Sequence, residues 1–266
     1  MNYDNTTLLI NKTVIIAGGL GRIGKRFIDT VIENGGIAII ADISFEKYNQ
    51  EKKQNWLNNE KVDFCLLNVN SKSSIIELIK FVSKKYGKID AFVNTSFPQT
   101  KSLDCLFEDL TYHDFCENIN IHLGGYFLCA QQMALYFKKQ GYGNIINVAS
   151  IQGVGMPKFD TYEGVLINGR PMNSGIDYTC NKFSIIAMSK YIAKYFKGYD
   201  IRCNCITPGG ILDNQPIVFL ERYKKYCSSK GMLDSEDLKG ALLLLLSDGS
   251  RYINGQNIIV DDGFTL

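Results

Sequence analysis

The stretch TVIIAGGLGRIG, residues 13–24, is where the reading of this chain starts. Thr13 to Ala17 is a continuous apolar, β-branched run, the pattern of a strand buried on both faces. Gly18, Gly21 and Gly24 then fall three apart, and a helical pattern follows to about Asn34, where Gly35-Gly36 stops it. Glycines in such a strand-to-helix turn let the backbone approach a pyrophosphate, whose charge is favoured at a helix N-terminus. The spacing differs from the commonest G-x-G-x-x-G pattern, and many such turns carry glycines for steric reasons alone. The loop therefore needs support from the rest of the chain.

The alternation of strand and helix continues beyond Gly36. Ile37 to Ala41 is a second buried strand ending at Asp42, and a polar helix covers roughly Phe45 to Asn59. Strands are predicted at Val62–Leu67, Ile89–Val93, Asn144–Ala149, Ile201–Ile206 and Ile258–Val260. Helices are predicted at about Ser73–Tyr86, Tyr112–Lys139 and Tyr178–Phe196, and near 217–229 and 235–247. Strands alternating with helices imply right-handed βαβ units. The expected fold is α/β: a single doubly wound Rossmann-like domain over residues 1–266, with a parallel seven-stranded sheet and helices on both faces. Residues 151–177 break the rhythm with five glycines, two prolines and no periodicity, and read as a substrate-binding loop or lid.

Composition bounds the function. The chain has 266 residues, 45% hydrophobic, with a net charge of +2 spread evenly, so no basic block marks a nucleic-acid or membrane footprint. Eight cysteines occur without a C-x-x-C pair, and the two histidines, His113 and His122, show no metal-ligand spacing. No metal is expected; reduced thiols in a cytoplasmic protein are. Cys203 and Cys205, two apart in a strand, should share a face and pack. The N-terminus lacks a signal-peptide pattern, and the longest apolar run, Ala241 to Leu246, is too short to span a bilayer.

Asp42 ends the second strand 18 residues after Gly24. An acid there accepts hydrogen bonds from ribose hydroxyls and repels a 2′-phosphate, which favours NAD over NADP. Arg22, in the glycine loop, argues mildly the other way. Tyr178 and Lys182 lie four apart on one helix and so share a face. A free phenol has a pKa of about 10, and a nearby ammonium is expected to lower it enough for proton transfer. Ser150, just past a strand, offers a hydroxyl to a substrate oxygen.

These residues, in this order, resemble the short-chain dehydrogenase/reductase family over nearly the full chain: the glycine loop, Asp42, Asn94, Ser150, Tyr178-x-x-x-Lys182, Pro208-Gly209 and the closing GQNIIVDDG. The second half is similar to bacterial members of the flagellin modification type, associated with making sugars for surface and flagellar glycans. The resemblance implies an NAD(P)-dependent oxidoreductase interconverting a hydroxyl and a ketone. It implies that Gly18, Gly21, Arg22, Ile23, Gly24, Asp42, Asn68, Val69, Asn94, Pro208, Gly209 and Ile211 bind the cofactor, and that Lys182 also holds the nicotinamide ribose. The family's fourth catalytic residue is a helical asparagine. Alignment on Tyr126-Phe127-Leu128 puts His122 there, with Asn120 able to reach only through a local π-turn; His122 is favoured.

The gap from Ser150 to Tyr178 is 28 residues, longer than is usual in the family; Tyr162, Asn168 and Arg170 within it are candidate polar contacts, and Arg170 a candidate anion clamp. A helical segment at 212–232 is expected to cover the substrate. The implied substrate is a sugar, sugar phosphate or nucleotide sugar. The alternatives are an acyl or other apolar ketone, or a catalytically silent dinucleotide-binding scaffold. The family also implies a homodimer or homotetramer.

Overall fold

The computed structural model describes residues 8–53, 59–101 and 104–266. Seven strands form one parallel sheet: β1 (Thr13–Ala17), β2 (Ile37–Asp42), β3 (Val62–Leu66), β4 (Ala91–Asn94), β5 (Tyr142–Val148), β8 (Asp200–Pro208) and β9 (Asn257–Val260). Their order across the sheet is β3-β2-β1-β4-β5-β8-β9. The chain winds outward in one direction from β1 and then in the other from β4, so the carboxyl ends of β1 and β4 border the crevice where open α/β sheets bind ligands. Ala17 pairs in register with both Ala41 and Asn94, which brings three strand ends level at that crevice.

The main helices are α1 (Arg22–Glu33), α2 (Phe45–Lys53), α3 (Lys72–Tyr86), α4 (Tyr112–Gln140), α5 (Ile176–Tyr195), α6 (Ile217–Lys224) and α7 (Lys239–Leu246). The period-two alternation of β1 splits the core into two layers. Val14 and Ile16 pack with Phe27, Val31, Leu242 and Leu245 of α1 and α7. Ile15 and Ala17 pack with Leu78, Val82, Met133 and Phe137 of α3 and α4 on the other face. Each fully buried side chain of this size contributes about 1.5–3 kcal/mol. Because both faces are covered, the central strands β1 and β2 are almost wholly apolar, which is why they stood out in the sequence. Cys203 and Cys205 are both buried, as their spacing required.

The expectations differ from the structure at edges and in one segment. The polar helix is described to Lys53, and residues 54–58 of that expectation lie outside the described residues. The helix expected at 217–229 ends at Lys224, and that expected at 235–247 opens with a 3₁₀ turn at Ser235–Leu238. Residues 151–177 are not irregular. They contain 3₁₀ turns at Ile151–Gly153 and Phe159–Thr161, then a hairpin of β6 (Leu166–Ile167) and β7 (Arg170–Pro171), before α5 starts at Ile176. Asn168 and Gly169 both have positive φ, 51° and 76°, the conformation a two-residue hairpin turn demands.

Candidate active site

A cleft of about 920 Å³ runs along the carboxyl ends of the strands, from the glycine loop to α6. At its first end the backbone does the shaping. Gly18 sits at φ +72°, and a side chain there would press on the Ser96 backbone at 2.9 Å. A Cβ on Gly24 would come 2.3 Å from the Gly18 carbonyl oxygen, so α1 can approach the loop only with glycine there. Gly21 precedes α1 as its capping residue, so the helix has no side-chain cap, and its first turn holds no acidic residue. Its opening N–H groups thus lack a side-chain acceptor, the arrangement that suits a phosphate.

Asp42 lines the same end. Its two oxygens accept from the amides of Leu20 (3.0 Å) and Ser44 (3.3 Å), which fixes the carboxylate beside the loop while leaving lone pairs for further donors. Arg22, Ile23, Asn68, Val69, Pro208, Gly209 and Ile211 also line the cleft. Arg22 pairs with Asp213, so its charge is engaged across the cleft mouth. Asn94 does not line the cleft, contrary to expectation. Its side chain is fully buried, and its Oδ1 accepts from the Ser96 amide (3.1 Å) and hydroxyl (2.6 Å), which shapes the turn that presents Thr95 and Ser96. Lys47 lines the glycine-loop end unanticipated, because an exposed lysine on a polar helix gives no sequence signal.

At the middle of the cleft, β5, α4 and α5 converge. Ser150 and Tyr178 both line it, and the Ser150 hydroxyl hydrogen-bonds the phenol. The Lys182 ammonium donates to the Val148 carbonyl at 3.2 Å and lies 5.4 Å from the centre of the Tyr178 ring and 5.5 Å from that of Tyr126. Tyr126, not singled out by the sequence, donates to the carbonyls of Asn94 (3.2 Å) and Val148 (3.1 Å), tying the ends of β4 and β5 to α4. Behind it, the buried Asn181 amide donates to Asn118 Oδ1 at 2.7 Å, which locks α5 to α4 beside the reactive helix turn.

His122 is buried, with its ring centre 6.4 Å from that of Tyr178 and 5.4 Å from that of Phe97. Neither ring nitrogen has a hydrogen-bond partner among the described residues. Asn120 lies on an exposed face of an uninterrupted α4, so the π-turn that would bring it inward is absent there.

Burial governs the charges here. It pushes the Lys182 pKa down to about 7 and, with the nearby Lys182 charge, that of His122 down to about 2. His122 is therefore neutral at any working pH. The Tyr178 phenol is raised above its ordinary value by burial; the Ser150 hydrogen bond opposes this, and the Asp104 charge adds to it. This corrects the expectation that the lysine lowers the phenol: burial dominates, and the opposing influence comes from the Ser150 hydroxyl.

The far end is walled by Phe219 and Tyr223 of α6 with Met232 and Phe264, the last stacked on Tyr223 at 4.2 Å. The Tyr223 hydroxyl accepts from the Gly210 amide at 2.7 Å, and the Tyr226 hydroxyl donates to Asp160 at 2.6 Å, so α6 is tied both to the end of β8 and to the 158–163 turn. Tyr162 lines this end as expected. Asn168 and Arg170 do not: both are exposed on the hairpin, away from the cleft lining, so Arg170 is no anion clamp in this structure.

The family model described as Enoyl-(Acyl carrier protein) reductase matches residues 21–265. Post-translational flagellin modification protein A of Campylobacter coli is 43% identical over 97% of this chain and 100% of its own length. The 7alpha-hydroxysteroid dehydrogenase of Bacteroides fragilis is 32% identical, covering 96% of this chain and 95% of its own. Among solved structures, a short chain dehydrogenase from Leptospira borgpetersenii with bound NAD+ superposes with a TM-score of 0.83 and 29% identity, over 97% of this chain and 94% of that one. With similarity of that extent in both sequence and fold, the chain belongs to the short-chain dehydrogenase/reductase family and is an oxidoreductase.

Proposed function

We propose that the protein is an NAD-dependent oxidoreductase that interconverts a hydroxyl and a ketone on a sugar, sugar phosphate or nucleotide sugar destined for a surface or flagellar glycan. The observation that carries the reaction is the convergence of Ser150, Tyr178 and Lys182 in a cleft continuous with the glycine loop. The cofactor preference rests on Asp42, whose charge opposes a 2′-phosphate. The substrate class rests on the 43% identical relative, named a flagellin modification protein. A polar wall of Gln152, Tyr162 and Ser174 in the cleft supports it.

A nicotinamide cofactor held in this cleft would supply or accept the hydride. Gly18, Gly21 and the N-terminus of α1 would hold its pyrophosphate, Asp42 its adenosine ribose, and Lys182 its nicotinamide ribose. In the reductive direction Ser150 hydrogen-bonds the ketone oxygen and Tyr178 gives that oxygen its proton as the carbonyl carbon gains hydride. The ammonium form of Lys182 stabilises the resulting phenolate. His122, neutral, would take the place of the family's helical asparagine in holding the water that relays the replacement proton.

A second reading, reduction of an apolar ketone, is favoured by the Phe219, Met232 and Phe264 wall. Absorbance at the NADH band separates the two. Incubation with NAD+ and a panel of phosphorylated and nucleotide sugars produces NADH under the first reading. Turnover confined to steroid or acyl ketones rejects it.

The protein is further read as a cytoplasmic homodimer or homotetramer. Its eight cysteines form no disulfide among the described residues, no described helix is long and apolar enough to cross a membrane, and Phe127, Tyr191 and Tyr195 stand exposed on α4 and α5. Light scattering after size exclusion tests the assembly, and a monomeric mass rejects it.

A further inference from the structure

The 3₁₀ turn Ile151–Gly153 carries Gln152 into the cleft two residues past Ser150. Its position is rigid. The Gln152 backbone amide donates to Ser150 Oγ at 3.2 Å, and a Cβ on Gly153 would come 2.7 Å from the Lys182 carbonyl oxygen, so the turn lies flush on α5. The side chain is oriented as well. Its Oε1 accepts from the Ser174 hydroxyl at 2.6 Å and the Thr179 hydroxyl at 3.1 Å, and both of those residues are buried. The shorter distance is typical of O–H···O bonding and below the usual N–H···O range, which fits oxygen at the buried end of the amide.

With the acceptor end occupied, the amide nitrogen and its two protons are what Gln152 has left to offer. One side of it meets the Tyr162 phenol, which also lines the cleft and which burial pushes up to about 12, so the phenol stays protonated. The cleft thus holds, one short turn from Ser150, a pre-oriented donor backed by a second hydroxyl. A donor so placed costs free energy against any substrate that leaves it unpaired.

We infer that the Gln152 amide, backed by Tyr162, recognises an acceptor oxygen on the carbon next to the reacting one, and so selects hydroxy ketones and vicinal diols over simple ketones and alcohols. This rests on the hydroxyl–ketone reading above and narrows its substrate class.

The test compares 2-hydroxycyclohexanone with cyclohexanone, each reduced with NADH by the wild type, Gln152→Leu and Gln152→Glu. The wild type prefers the hydroxy ketone. In Gln152→Leu the ratio of the two kcat/KM values falls roughly tenfold to a hundredfold, the scale of one lost donor, chiefly through KM. Gln152→Glu, which keeps the shape and both hydroxyl partners but has no donor when ionised, lowers the ratio likewise. NADH binding, followed by fluorescence, is retained in both variants and reports that they are folded. Equal wild-type rates on the two ketones, no turnover of either, or a ratio that survives both substitutions overturns the inference. If NADH itself does not bind the wild type, the oxidoreductase reading of this cleft fails first, and the two failures are distinguishable.

Discussion

The two ends of the cleft are built by different means. The cofactor end is made of backbone: level strand ends, a glycine loop closed by the Gly18–Gly24 approach, and an uncapped helix start. The substrate end is made of side chains from distant segments, with Gln152, Tyr162, Phe219, Met232 and Phe264 brought together only by the tertiary fold. Backbone sites tolerate few residue types, so they leave compact sequence marks. Side-chain walls can be assembled from many combinations and leave little.

The largest test of this contrast is at the junction. Lys182→Met removes the buried amine and should cost roughly 10²–10⁴ in turnover. The same change should stabilise the fold. The lysine pKa falls from 10.5 in the unfolded chain to about 7 in the folded one. Between those values the unfolded chain holds a proton that the folded chain lacks, so wild-type stability from this group rises with pH across that window. Below the folded value both states are protonated and the full burial penalty persists. At pH 6 the variant should therefore be more stable in urea by about 5 kcal/mol, with the gap narrowing toward pH 10. A variant that is less stable at pH 6 breaks the burial argument.

At the cofactor end, Asp42→Ala should shift the ratio of kcat/KM for NADP to that for NAD upward by roughly tenfold, the scale of one removed charge repulsion. An unchanged ratio would assign cofactor choice to Lys47 or another group instead. At the substrate end, Gly169→Val forces a β-branched residue into φ +76° and should lower stability by about 1–3 kcal/mol. NADH affinity, set at the other end, should hold. The smallest effect belongs to Arg170→Ala: a surface change within about 0.5 kcal/mol, with the KM for anionic sugars unmoved.

The same contrast governs what was legible in the sequence. Thr13–Ala17 and Ile37–Ala41 were readable because both sheet faces are covered and, Thr13 apart, every position is apolar. Asp42, Ser150, Tyr178 and Lys182 were legible from their places at strand ends and on one helix turn, and all four meet the cleft. Asn94 was misplaced because a strand-end position does not say which way the side chain turns. The hairpin at 166–171 was missed although Asn168-Gly169 is a strong turn signal; flanking strands of two residues each are too short to show alternation. Gln152 and Tyr126 were missed because a single polar residue in a turn and an aromatic in a helix carry no periodicity of their own. The direction of the Tyr178 shift depended on depth of burial, which a four-residue spacing cannot report.

The most direct test of the account is Tyr178→Phe measured two ways on one preparation. NADH titration followed by fluorescence should give an affinity close to the wild-type value, since the backbone end of the cleft is untouched. Turnover of whichever sugar the wild type oxidises should be lost. A variant that binds NADH and still turns over at the full rate would contradict the assignment of the phenol as the proton donor.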